Sequence, residues 1–70
     1  MDMPRPPRIS KEARHPGKTN FVGRANLAAR KANIAAWKAK KFAGTPKAAK
    51  FQARAQKFTS RAQKFTNKLT

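Results

Sequence analysis

The amino-acid sequence predicts an all-α chain: an extended, Pro- and Arg-rich N-terminal arm over residues 1–20, then two helices within 21–70. Three observations carry this reading. Four of the five prolines fall in the first 16 residues, and 13 of the 14 alanines come after residue 20. Alanine is the strongest helix former, whereas proline removes a backbone donor and breaks helices. Third, Arg54-Ala55-Gln56-Lys57-Phe58-Thr59 recurs letter for letter as Arg61-Ala62-Gln63-Lys64-Phe65-Thr66. A seven-residue period of this kind presents one fixed face on a helix.

The arm comes first. Pro4, Pro6, Pro7 and Pro16 favour extended or polyproline geometry. Arg5, Arg8, Lys11, Arg14 and Lys18 are spaced three or four apart through it, a pattern that suits following a groove or threading between phosphates. His15 has no Cys or second His beside it at ligand spacing, so neither a metal nor a cofactor site is expected.

The first helix is expected over about 21–43. Thr19 or Asn20 is placed to cap its start, and Gly44 suits the left-handed position just past its end. Thr45 and Pro46 then read as N-cap and first helical residue of a second helix over about 46–68. The break at Gly44-Thr45 is short, which predicts a hairpin or a corner, with the hairpin preferred.

Stepping 100° per residue divides the second helix into stripes. Ala48, Phe51, Ala55, Phe58, Ala62, Phe65 and Leu69 follow one another at alternating spacings of three and four. Core packing, either on the first helix or on a neighbouring protein, is the expected use of that stripe. Lys47, Lys50, Arg54, Lys57, Arg61, Lys64 and Lys68 form a parallel row one position ahead of it. At 1.5 Å per residue the row extends about 31 Å. On the first helix Ala25, Ala28, Ala29, Ala32, Ala35, Ala36, Ala39 and Ala43 make a smooth side against which the Phe row can lie. Elsewhere on that helix Leu27, Ile34 and Trp37 mix with Arg24, Arg30, Lys31, Lys38 and Lys41. Large apolar groups among cations suit a protein contact, and Trp37 is expected to pack.

The core is small. Apart from alanine only 13 apolar side chains remain in 70 residues, and Met1, Met3 and Ile9 lie in the arm. A chain of this size usually needs a staple or a partner, and with no cysteine a disulfide is excluded. Charge dominates instead: 18 Lys and Arg against Asp2 and Glu12 give a formal net charge of +16. Every formally charged side chain after Glu12 is positive. Such a chain repels itself unless an anionic partner screens it, and nucleic acid is the expected partner.

Several function classes drop out. No stretch approaches the roughly 18 apolar residues of a membrane span. The start has no apolar core of a secretory signal, which suggests a mature, cytosol-made chain. Two carboxylates, one His, no Cys and no Tyr do not assemble a nucleophile, base and orienting group, so no enzyme is expected. Neither a phosphate-binding Gly loop nor a zinc-finger or basic-zipper pattern is present.

The sequence therefore points to a non-enzymatic structural protein that neutralises a phosphate backbone with little base readout. Its expected contacts are the α-helical row from Lys47 to Lys68, extended by Arg24, Arg30, Lys31, Lys38 and Lys41 and by Arg5, Arg8 and Arg14 of the arm. Phe51, Ala55, Phe58, Ala62, Phe65, Leu69 and Trp37 are expected to face protein. The expected setting is genome binding or condensation in the interior of a virus or phage particle, against a capsid. A small ribosomal protein binding rRNA, in cytoplasm or organelle, is the alternative. A cationic membrane-active helix is the contrasting class, and it calls for a wider, Leu-rich apolar face than this seam offers.

Overall fold

A computed structural model describes residues 4–69, so Met1, Asp2, Met3 and Thr70 lie outside the description. Helix α1 runs Phe21–Lys41 and helix α2 runs Pro46–Asn67, and the described residues contain no strand. The Asn20 side chain accepts a hydrogen bond from the Gly23 amide at 2.9 Å and so caps α1. Gly23 itself sits tight beneath that cap. A Cβ built on it would lie 2.7 Å from Asn20 Nδ2 and 3.1 Å from the Pro16 Cβ.

Between the helices the chain reverses direction over four residues. Gly44 supplies the one positive φ among the described residues, 85°, a conformation that side chains with a Cβ disfavour. Thr45 occupies the N-cap position of α2, but its hydroxyl donates to the Phe42 carbonyl at 2.6 Å instead of accepting from the helix. Pro46, which needs no acceptor for a missing N–H, opens α2.

The outcome is an antiparallel hairpin, not a corner. Phe21 at the start of α1 stacks on Phe65 near the end of α2, ring centres 6.4 Å apart. At the other end Phe42 stacks on Phe51 at 5.7 Å. Between these two ring pairs Ala28, Ala32, Ala35 and Ala39 are buried, each no more than 8 % exposed. Their small side chains let the helices approach, and the Phe row of α2 fills the seam as the sequence pattern anticipates. Phe65 is buried, while Phe51, Phe58, Ala48, Ala55 and Ala62 are half-buried. Ala29, Ala36 and Ala43, grouped with the smooth side by sequence, are exposed. Leu69 is 50 % exposed because α2 ends at Asn67 and Leu69 lies in the turn that follows.

The arm lies along α1. Residues 4–10 are irregular, and one helical turn follows over 11–14, in which the Arg14 amide donates to the Ser10 carbonyl and the Ala13 amide to Ser10 Oγ. Ile9 is buried, and it lines a common concavity with Pro6, Pro7, Ile34 and Trp37. The apolar groups on the second side of α1 thus receive an intramolecular cover. The assembly is a rod with extents of 39 × 21 × 17 Å. No polar or charged side chain is buried among the described residues.

Candidate nucleic-acid interface

The cation row of α2 is positioned by the packing of its neighbour stripe. Once Phe51, Phe58 and Phe65 turn toward α1, residues one position before a ring, or three or four positions along from it, project beside the seam. Lys47, Lys50, Arg54, Lys57, Arg61, Lys64 and Lys68 are all exposed. The described residues contain one acid, Glu12, which lies in the arm beside Ala13, Pro16 and Arg30.

Helix α1 contributes a second row. Arg24, Lys31 and Lys38 are seven residues apart and half-buried. Each stands over one ring of α2: Arg24 over Phe65 at 4.5 Å, Lys31 over Phe58 at 5.5 Å and Lys38 over Phe51 at 5.5 Å. As the α1 number rises by seven the α2 number falls by seven, which is the register of an antiparallel pair. The same rings also carry cations from α2: Arg54 over Phe51, Arg61 over Phe58 and Lys68 over Phe65, at 5.6–5.9 Å. Two cations therefore converge on each ring, three times over. Cation–π attraction contributes roughly 0.5–1 kcal/mol at exposed sites, which offsets part of the repulsion between them.

These side chains border one continuous groove between the helices. Its first stretch is lined by Arg24, Lys31, Arg61, Lys64 and Lys68 with Phe58 and Phe65. Its second is lined by Lys31, Lys38, Arg54 and Lys57 with Phe51 and Phe58. Lys31 and Phe58 belong to both, and no acidic side chain lines either stretch. The Arg24 guanidinium is held by a hydrogen bond to the Lys18 carbonyl at 3.0 Å, which fixes that end of the row.

Not every cation singled out in the sequence joins the groove. Arg30 lines concavities with the arm, beside Pro6, Pro7 and Asn33. Lys41 stands over Trp37 at 5.0 Å and Lys47 over Phe42 at 5.6 Å, both near the turn. Arg5 lies 5.9 Å from the Trp37 ring centre, and Arg8 and Arg14 are exposed beside Ile34 and Trp37. Trp37 is thus enclosed by its own chain's cations and arm. Sequence reasoning missed Phe21 and Phe42 as ring partners, and it grouped Arg24, Lys31 and Lys38 with Arg30 and Lys41. Their seven-residue spacing, equal to that of Phe51, Phe58 and Phe65, was the signal that separates them.

No three potential metal ligands come together among the described residues. No described helix is long and apolar enough to cross a membrane. Comparison with protein-family models, curated proteins and solved structures finds no match.

Proposed function

We propose that this chain is a non-enzymatic structural nucleic-acid-binding protein that neutralises phosphate backbone, acting as a genome-binding or genome-condensing protein inside a virus or phage particle. One observation carries the reading. The seven cations of α2 remain exposed in a row while the Phe row beside them is turned into the seam, Phe65 buried and Phe51 and Phe58 half-buried. A helix arranged this way offers a partner charge and little apolar surface. Phosphates accept hydrogen bonds from Lys and Arg without regard to sequence, so the contacts fix position without reading bases.

The same division of labour weighs against a membrane-active helix, whose apolar face must be free to enter lipid. Of the large apolar side chains, Val22 and Leu69 are the exposed ones among the described residues. The rRNA reading relies on an arm that reaches between RNA helices, whereas here Ile9 is buried against the rest of the chain.

Recovery of the chain from its native source at low salt tests the setting. It should be found with packaged genome and be released when the particles are opened and treated with nuclease. Recovery in ribosomal subunits would replace the virion setting with the rRNA one. Recovery free of nucleic acid, before any nuclease step, would overturn both.

A further inference from the structure

We propose that the inter-helix groove is the site that takes the nucleic acid, holding the phosphodiester backbone of one strand over three ring-centred cation pairs with the bases directed away. The inference rests on the phosphate-binding reading and adds to it a location, an orientation and a substrate form. The three stations are Lys38 and Arg54 at Phe51, Lys31 and Arg61 at Phe58, and Arg24 and Lys68 at Phe65.

Three features of the groove argue for it. First, like charges are gathered from opposite helices around each ring, so one phosphate oxygen set can be met from both sides. An anion there relieves a repulsion that the fold itself creates; a similar pair, Arg5 and Lys41, meets at Trp37, but it stands singly and not in a seven-residue series. Second, Lys57 and Lys64 line the groove between stations, so positive charge continues along it. The end stations are 14 residues apart, about 21 Å along α2, enough for several consecutive phosphates. Third, the floor is aromatic but its rings are already engaged. Phe65 is 8 % exposed and stacks on Phe21, Phe51 stacks on Phe42, and each floor ring carries two cations. A base that stacked on Phe51 or Phe58, both half-buried, would have to displace the cations that stand over the ring.

The consequence is a site indifferent to base identity and to pairing. A stacking platform favours unpaired bases, by roughly tenfold or more per stacked base. Here duplex DNA, which carries one charge per about 1.7 Å of axis, should bind at least as tightly as a single strand of equal length.

Two charge-matched triple variants test the location. One is Arg24→Gln, Lys31→Gln and Lys38→Gln in the groove. The other is Lys11→Gln, Lys18→Gln and Lys40→Gln, exposed cations outside it. Binding to a 20-base-pair duplex and to single-stranded homopolymers of matched length is measured across salt, with helix content followed by circular dichroism. The groove triple should reduce the salt slope by about 2–3, since each lost phosphate contact removes roughly 0.9, and the outer triple by less than 1. Wild-type affinity should vary less than about threefold among homopolymers, against the tenfold steps of stacking.

Equal losses in the two triples would overturn the groove while leaving backbone binding intact. So would a strong preference for one unpaired homopolymer. No binding by the wild-type chain at 50 mM salt would remove the parent reading as well. Lysine modification of the wild-type complex supplies a readout that does not depend on any variant folding. Lys31, Lys38, Lys57 and Lys64 should be protected and Lys11, Lys18 and Lys40 should not; uniform protection would contradict the site.

Discussion

Replacing Arg54, Lys57, Arg61 and Lys64 together by Ala should lower nucleic-acid affinity by two orders of magnitude or more at 100 mM salt and flatten its salt dependence. Each of the four side chains lines the groove, and each removed phosphate contact takes about 0.9 from the slope of log affinity against log salt. Four contacts thus amount to a slope change of roughly 3–4. Alanine is the better helix former, so α2 itself should persist. Titration of labelled duplex between 50 and 200 mM salt, with helix content checked in parallel, decides the matter. An unchanged slope in a folded variant would remove this row from the binding surface.

The second large effect concerns the seam. Phe65→Ala should abolish cooperative unfolding of the free chain. Phe65 is the one buried ring among the described residues, and it carries contacts from Phe21, Arg24 and Lys68. Truncating a buried Phe to Ala typically costs about 3–5 kcal/mol. A single core in a chain below 70–80 residues rarely supplies more than roughly 3–5 kcal/mol in total. The loss is therefore comparable to everything that holds the hairpin together. Phe51→Ala, at a half-buried ring, should cost less and leave a lowered but visible transition. Thermal denaturation at high salt, where self-repulsion is screened, is the suitable measurement. A Phe65→Ala midpoint equal to wild type would show that the rings do not hold the helices together.

The two effects differ in kind because the two stripes of α2 do different work. Phe51, Phe58 and Phe65 pack the seam of the hairpin, whereas the cations beside them are the residues proposed to take phosphate. The stripes also interact: each ring is the surface on which a cation from either helix rests. Loss of a ring should therefore loosen the groove as well as the seam.

Much of this organisation was legible in the residues. Pro46 and Gly44 mark the break, Thr19 or Asn20 marks the start of α1, with Asn20 the one that caps it, and the copied heptad marks the faces of α2. Such signals are local, and a helix obeys local rules over most of its length. The hairpin itself was less legible, because a short break at Gly44-Thr45 favours a hairpin but also permits a corner. It is the ring pairs at both ends, Phe21 with Phe65 and Phe42 with Phe51, that settle the geometry, and these join positions far apart in the chain.

The arm shows the same limit. Its prolines indicate irregular backbone, which the structure has, but they say nothing of where the backbone lies. Ile9 shares a concavity with Ile34 and Trp37, and Ile34 also borders the groove beside Phe51 and Phe58, so the arm covers what α2 leaves half-buried. The α1 cations were visible only as a mixture. Arg24, Lys31 and Lys38 separate from Arg30 and Lys41 once the register with α2 is known, since only the first three meet the Phe row.

The account stands on the claim that the ranked cations of this hairpin sit against a polyphosphate. The affinity of the intact wild-type chain for duplex DNA and for RNA, followed from 50 to 200 mM salt, tests that claim most directly. With 6–10 phosphates engaged, affinity should fall by about 10³–10⁵-fold across this range. Binding that stays constant over the same range, or a chain that associates with neither nucleic acid at 50 mM, would contradict it.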